Sequence, residues 1–251
     1  MDYDSLPYVN KSTLWEMRKS PLHYWHLIHD GLKKDTPAMK FGRAVHSRLL
    51  QPESFGTEFA VAPECDRRTT QGKAIWKELI ESGKEVISQD DMDMILAMEA
   101  EFSAVAKKYL AGAETEKPLI WTDNESGVKC KGRLDAITDD YVIDYKTTTD
   151  ASTDAFRREA LRYGYDLQAA MYLEAARANG YHPQGFIFIA QEKSAPYLIN
   201  VLHAGDAFLD RGAWIMRDLL AKYKECSEKD IWPGYGVNDL ILAEWEAIDD
   251  E

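Results

Sequence analysis

The chain has 251 residues, is 45% hydrophobic and 29% charged, and carries a formal net charge of −13. This length can bury a sizeable core, and one α/β domain is the expectation. No run of about 18 apolar residues offers a membrane span, and so acidic a chain is not one that coats nucleic acid through a broad basic face. The charge is uneven: residues 1–80 hold 12 Lys/Arg against 10 Asp/Glu, and residues 81–251 hold 18 against 33. A narrow basic lining on an acidic body is therefore still open. Met1-Asp2-Tyr3-Asp4 is acidic and has no apolar stretch, so no secretory signal is expected. Cys65, Cys130 and Cys226 lie far apart and form no CxxC pair, which predicts reduced thiols in the cytoplasm rather than a cysteine-held metal or cluster.

In chain order, the first half is predicted helical. Asn10-Lys11-Ser12 is a cap region for a helix over Thr13 to Lys19, and Ser20-Pro21 restarts one with proline in the first turn. Thr36-Pro37 opens a third helix to about Leu50, closed by Pro52, and residues 53–68 read as irregular. Thr69 to Glu81 and Ser88 to Leu110 are predicted helices, the second capped by Ser88 with acids in its first turn. The period then changes. Glu116 to Thr122, Val128 to Thr138 and Tyr141 to Thr147 alternate as strands, with turns at Gly127 and Asp139-Asp140. Helices follow over Ser152 to Leu161 and Gly164 to Asn179. Two more strands, Phe186 to Ala190 and Tyr197 to Val201, precede a closing helix, Asp206 to Glu225. The expectation is a mixed sheet flanked by helices. It divides into a mainly helical part (1–111), an α/β core (112–225) and an acidic tail (226–251).

The chemistry is expected on the middle strands. Asp144 and Lys146 share a strand face, with Tyr141, Ile143 and Tyr145 opposite. A carboxylate and an ammonium inside an apolar strand are costly unless compensated. On the preceding strand Val128, Cys130, Gly132, Leu134 and Ala136 are assigned to one face, and Lys129, Lys131, Arg133 and Asp135 to the other. Alone, that second face reads as solvated charge. The tight turn, however, brings Asp135 and Asp144 together. Two carboxylates suit a hard divalent ion, with the lysine beside it to position or deprotonate water and offset charge during phosphodiester hydrolysis.

Asp135 followed by Asp144-x-Lys146 resembles the signature of the PD-(D/E)xK nuclease superfamily. Gly42-x-x-x-His46, Glu116 five residues before Trp121, and Gln168-x-x-x-Tyr172 narrow the resemblance to the branch of the RecB nuclease domain, lambda-type exonuclease and RecE. The likeness is strongest to the RecE nuclease domain and its phage relatives, over roughly residues 8–225. Asp144 stands where many superfamily members carry Glu, as it does in this branch.

The resemblance implies a restriction-endonuclease-like core and Mg²⁺-dependent 5′→3′ degradation of linear double-stranded DNA, with Mn²⁺ as a substitute. The 3′ overhang would pass to a single-strand annealing protein, and the chain would form a homo-oligomer, a ring in some members. By motif position His46, Asp135, Asp144 and the main chain of Tyr145 would hold metal. Lys146 would handle the water, Glu116 would assist, and Gln168 and Tyr172 would shape the site and contact DNA. Arg43, Arg67, Arg68 and Thr147 are the further candidates for DNA contact.

Plainer readings stand beside these. His46 neighbours an apolar stripe of Phe41, Val45 and Leu49 and can be a hydrogen-bonded core residue, with Gly42 one turn earlier leaving room for an approaching group. Glu116 can be a solvated strand end, and Gln168 and Tyr172 a packing pair. Arg67-Arg68 can be a solvated loop or, ahead of a helix, hold a phosphate. Trp15, Tyr24 and Trp25 can be core residues or a wedge for a duplex end. A related endonuclease and an inactive DNA-binding module remain alternatives, whereas iron–sulfur members of the superfamily are disfavoured by the cysteine set.

Overall fold

A computed structural model describes residues 3–31 and 36–237. The acidic tail from residue 238 onward lies outside the described residues. No helix among the described residues is long and apolar enough to cross a membrane.

A five-stranded sheet forms the centre: β3 (Glu114–Thr122), β4 (Lys129–Ile137), β5 (Tyr141–Thr148), β6 (Gly185–Glu192) and β7 (Ile199–His203), in that spatial order. All neighbours are antiparallel except β5 and β6, which are parallel. A parallel neighbour needs a crossover, supplied here by α7 (Thr153–Tyr163) and α8 (Tyr165–Ala178). Gly164, at φ +68°, lets one helix end and the next begin without a linker.

Each sheet face carries its own core. On one lie Val142, Leu134, Phe186 and Phe188 with Leu167 and Met171 of α8 and with Ile215 and Leu219 of α9 (Asp206–Lys229). Val9 and Leu14 join them; Leu14 ends the short helix α1 (Lys11–Leu14), which runs into a 3₁₀ turn at Trp15–Arg18 and then α2 (Pro21–His29). On the other face lie Ile143, Tyr145, Ile187 and Ile189 with Phe41 and Val45 of α3 (Pro37–Leu50) and with Ile95, Met98 and Phe102 of α6 (Gln89–Tyr109). Full burial of such side chains stabilises by about 1.5–3 kcal/mol each.

The predicted caps form. Asn10, Ser20, Thr36 and Ser88 each accept a main-chain N–H through the side chain, and Ser88 pairs with Asp91 in a reciprocal capping box. Residues 53–68 differ from expectation. Pro52 does end α3, but it also starts α4 (Pro52–Glu58), and β1 (Phe59–Val61) follows. It pairs in parallel with β2 (Glu85–Ile87) across helix α5 (Thr70–Glu81). Phe59 and Ile87 bury into the second core, so tertiary packing sets these short strands.

The alternation along β4 also differs. Leu134 enters the first core but Ala136 enters the second, so the strand turns over at Asp135. Opposite Asp135, between the pairs Thr115↔Ala136 and Lys117↔Leu134, stands Glu116 at φ +46°. A non-glycine residue in the left-handed region is uncommon, and the kink falls at the site.

Candidate active site

β4 and β5 pair only at Ala136↔Ile143 and Ile137↔Val142, and beyond these positions they part. The fork is filled from two sides. Val9 bridges Cys130 on the released edge of β4: its N–H donates to the Lys129 carbonyl (3.1 Å), and the Lys131 N–H donates to the Val9 carbonyl (2.8 Å). Deeper in, the Asp135 carboxylate takes the place of a strand: its Oδ2 accepts the Tyr145 N–H at 2.8 Å. Within a strand the N–H and C=O of one residue lie along the same edge. The Tyr145 carbonyl therefore also faces the fork.

His46 approaches from α3. Its Nδ1 lies 3.6 Å from Asp135 Oδ2 and 4.0 Å from Glu116 Oε1. One ligand atom from each of His46, Glu116 and Asp135 lies within 4.8 Å of the others. Burial, reinforced by the Lys146 ammonium, lowers the His46 pKa to about 4, so its ring is neutral near pH 7 and keeps a lone pair. Burial and then the Asp135 charge raise the Glu116 pKa to about 7. Burial also raises that of Asp135. The His46 ring stands edge-on to Tyr145 at 5.3 Å, and the Tyr145 hydroxyl donates to Gln191 (2.6 Å) in the second core. A Cβ added at Gly42 would meet nothing within 4 Å, so no described group makes the close approach expected there.

Asp144 sits beside this cluster, turned to the other face. It is 0% exposed. Gln168 Nε2 on α8 donates to Oδ1 at 2.6 Å. Lys146 Nζ lies 2.5 Å from Oδ2 and pairs with it. Burial raises the Asp144 pKa to about 6 despite the lysine. Burial works against the Lys146 ammonium, but Asp144 and then Asp135 outweigh it and keep its pKa above the ordinary value. A wholly buried carboxylate beside three converging ligands of hard or imidazole type fits a divalent cation.

A cleft of about 600 Å³ opens over Lys146, and its lining includes Gln168, Tyr172, Lys11, Lys131 and Arg133. Tyr172 packs over Gly132, where an added Cβ would come within 2.9 Å of the ring. A second cleft is lined by Thr147 and shares Lys11 and Tyr165 with the first. Arg43, Arg67 and Arg68 line neither. Arg43 forks Glu85 (2.7 and 3.1 Å), Arg67 stacks on Trp76 at 3.4 Å, and Arg68 pairs with Asp66 at 2.9 Å. Trp121 donates to Glu174 in the first core rather than entering the site, and Tyr24 is core beside Trp232.

Lys11 and Tyr165 were not singled out by the sequence. Lys11 Nζ donates to the Tyr163 carbonyl (2.6 Å), and Lys146 Nζ lies 5.0 Å from the Tyr165 ring centre. Lys11 is read as part of a helix cap, and only the fold carries it into the cleft over Lys146.

The family described as a PDDEXK-like domain of unknown function (DUF3799) matches residues 11–241. The chain belongs to this family. In this PDDEXK-like protein Asp135, Asp144 and Lys146, the residues expected to carry the motif, lie together on the neighbouring strands β4 and β5.

Among solved structures it is similar to a protein from Eubacterium rectale described as "Putative exonuclease". That match has 15% identity and a TM-score of 0.62, and it covers 89% of this chain and 82% of the other. At that identity the likeness speaks to the fold, a five-stranded mixed sheet between helices. A second structure, of SSO0001, matches at 21% identity over 74% of this chain and 86% of the other, with a TM-score of 0.34, too low for its architecture to bear on the site. No curated protein gives a significant match.

Proposed function

We propose that the protein is a Mg²⁺-dependent exonuclease that degrades one strand of linear duplex DNA from the 5′ end. The supporting observation is the convergence of His46, Glu116 and Asp135 within 4.8 Å, one strand away from the Asp144–Lys146 pair. His46, Asp135 and Glu116 would hold the metal, with the Tyr145 carbonyl facing the same fork and Asp144 as a further ligand from beside it. When bound, the ion polarises the scissile phosphate and lowers the pKa of water. Lys146 donates toward the attacking water and offsets charge growing on the phosphate. Gln168 fixes Asp144 through Oδ1, so that the carboxylate's second oxygen stays directed at the reaction. Tyr172 and Thr147 form walls along which a strand can lie. Arg43, Arg67 and Arg68 are candidates for duplex contact farther out.

The polarity, the hand-over of a 3′ overhang to a single-strand annealing protein, homo-oligomeric assembly, use of Mn²⁺ and a cytoplasmic setting are inferred from the sequence resemblance. The E. rectale protein's description as an exonuclease is in keeping with this reading.

Linear duplex DNA labelled at the 5′ or the 3′ end, digested with Mg²⁺ or with EDTA, tests the proposal. Early Mg²⁺-dependent release of the 5′ label with retention of the 3′ label supports it. Early release of the 3′ label reverses the polarity, and equal cutting of closed circular DNA makes the protein an endonuclease.

A further inference from the structure

Lys131 and Arg133 have no part in the hydrolysis just described. They leave β4 on one face, four and two residues ahead of Asp135, and both line the cleft that holds Lys146. Lys131 is buried, and its ammonium donates to the main-chain carbonyls of Tyr3 (3.1 Å) and Asp4 (3.0 Å). Arg133 donates to both carboxylate oxygens of Asp4, each at 3.1 Å. The Tyr3 ring serves both cations, 5.2 Å from Lys131 Nζ and 5.1 Å from the Arg133 guanidinium.

All these partners come from one short loop. The Leu6 N–H donates to the Tyr3 carbonyl and closes a turn, while Val9 is the first residue buried and bonded into β4. Asp4, Ser5 and Pro7 are exposed. The cations thus sit on a rigid strand, and their partners sit on a loop that buries little of itself.

A buried ammonium facing neutral carbonyls is poorly compensated. The Arg133 nitrogen that reaches both carboxylate oxygens of Asp4 can donate to phosphate oxygens in the same way, with the other guanidinium N–H groups beside it. We infer that Lys131 and Arg133 form a phosphate-binding subsite for the DNA backbone beside the hydrolytic centre. In the DNA-free protein the Asp4 carboxylate and the Tyr3–Asp4 main chain occupy it, and DNA displaces them. This rests on the nuclease reading above.

The test is binding of a short fluorescent duplex with a 3′ overhang, in Ca²⁺ to limit cleavage, alongside Mg²⁺-dependent digestion. Asp4→Asn removes the competing charge and should tighten binding about threefold. Tyr3→Ala should act in the same direction. Arg133→Gln should weaken binding about tenfold and lower the salt slope by about one. In the double variant Asp4→Asn/Arg133→Gln the tightening should vanish, because its beneficiary is gone. Melting curves of Asp4→Asn and Arg133→Gln within a few degrees of wild type confirm that each remains folded. If wild type digests DNA but Asp4→Asn binds no tighter, or Arg133→Gln binds as wild type does, the subsite is wrong and the nuclease reading stands. If wild type neither digests nor binds DNA, both fall.

Discussion

The Gln168 side chain on α8 donates a 2.6 Å hydrogen bond to Asp144 Oδ1 in the middle of β5, so a helix of the first core sets the orientation of the site's most buried acid. Because Asp144 is wholly buried, losing this donor leaves an oxygen that water cannot reach. Gln168→Leu should cost about 1–3 kcal/mol of stability. It should also lower the nuclease rate roughly tenfold or more, as losses of ligand-orienting partners do. Chemical denaturation and initial digestion rates check the two effects separately.

Lys146 and Asp144 divide attraction and chemistry between them. With Lys146→Met the buried acids lose their counter-charge, so the metal-free protein should be less stable. The site, stripped of a positive neighbour, should bind a divalent cation at least as well as before. Digestion should nevertheless fall by about a hundredfold or more, because nothing orients the water. Retained metal-dependent thermal stabilisation together with lost activity is the expected signature. Unimpaired digestion would remove Lys146 from the mechanism.

The pH dependence of the metal-free protein follows from three shifts. Glu116 is raised to about 7 and Asp144 to about 6, so the fold favours their protonated forms; that stability is full below the unfolded values and is lost as pH rises through 6 and 7. His46 is lowered to about 4, so its stabilising contribution is present above the ordinary histidine value and lost as pH falls through 4. Two acids outweigh one imidazole, and metal-free stability should fall as pH rises from about 4.5 to 7. Metal competes with those same protons, so Mg²⁺ affinity should climb over this range. Melting temperatures with and without Mg²⁺ across pH should therefore diverge toward alkaline pH. A constant gap would show that Glu116 and Asp144 do not bind the ion.

Gly132 makes room for Tyr172. In Gly132→Ala the new Cβ would lie 2.9 Å from the ring, and overpacking of this kind costs about 1–3 kcal/mol. The ring should shift and digestion should slow. Adding Tyr172→Ala should remove the clash without recovering activity, and the cost of the double variant should then be close to that of Tyr172→Ala alone. If the single variant melts like wild type, the ring yields freely and does not form a fixed wall.

Much of this arrangement is legible in the sequence because it depends on local rules. The caps at Asn10, Ser20, Thr36 and Ser88, the turn at Asp139-Asp140 and the shared face of Asp144 and Lys146 follow from side-chain chemistry and period-two alternation. The overturned strand at Asp135 is not legible, since nothing in Glu-x-x-x-x-Trp signals a glutamate at φ +46°. Ala136 is accordingly assigned to the wrong face. Arg43 and Arg68 satisfy the basic pattern in sequence, yet in space they are paired with Glu85 and Asp66. Lys11, and the Tyr3–Asp4 loop that covers Lys131 and Arg133, are brought to the cleft by contacts more than a hundred residues apart in sequence, for which no short-range signal exists.

One main-chain group in the fork is a natural spectroscopic reporter. The Tyr145 amide proton is held by the Asp135 carboxylate rather than by a strand carbonyl. Its exchange with deuterium therefore depends on how that carboxylate is engaged, unlike the amides of the regular ladder around it. A bound cation that draws electron density from Asp135 weakens the bond, and a Gly132 or His46 variant that moves the carboxylate loosens it. The exchange rate and chemical shift of this single amide would thus register loading of the centre before any substrate is added, in a protein of unaltered sequence.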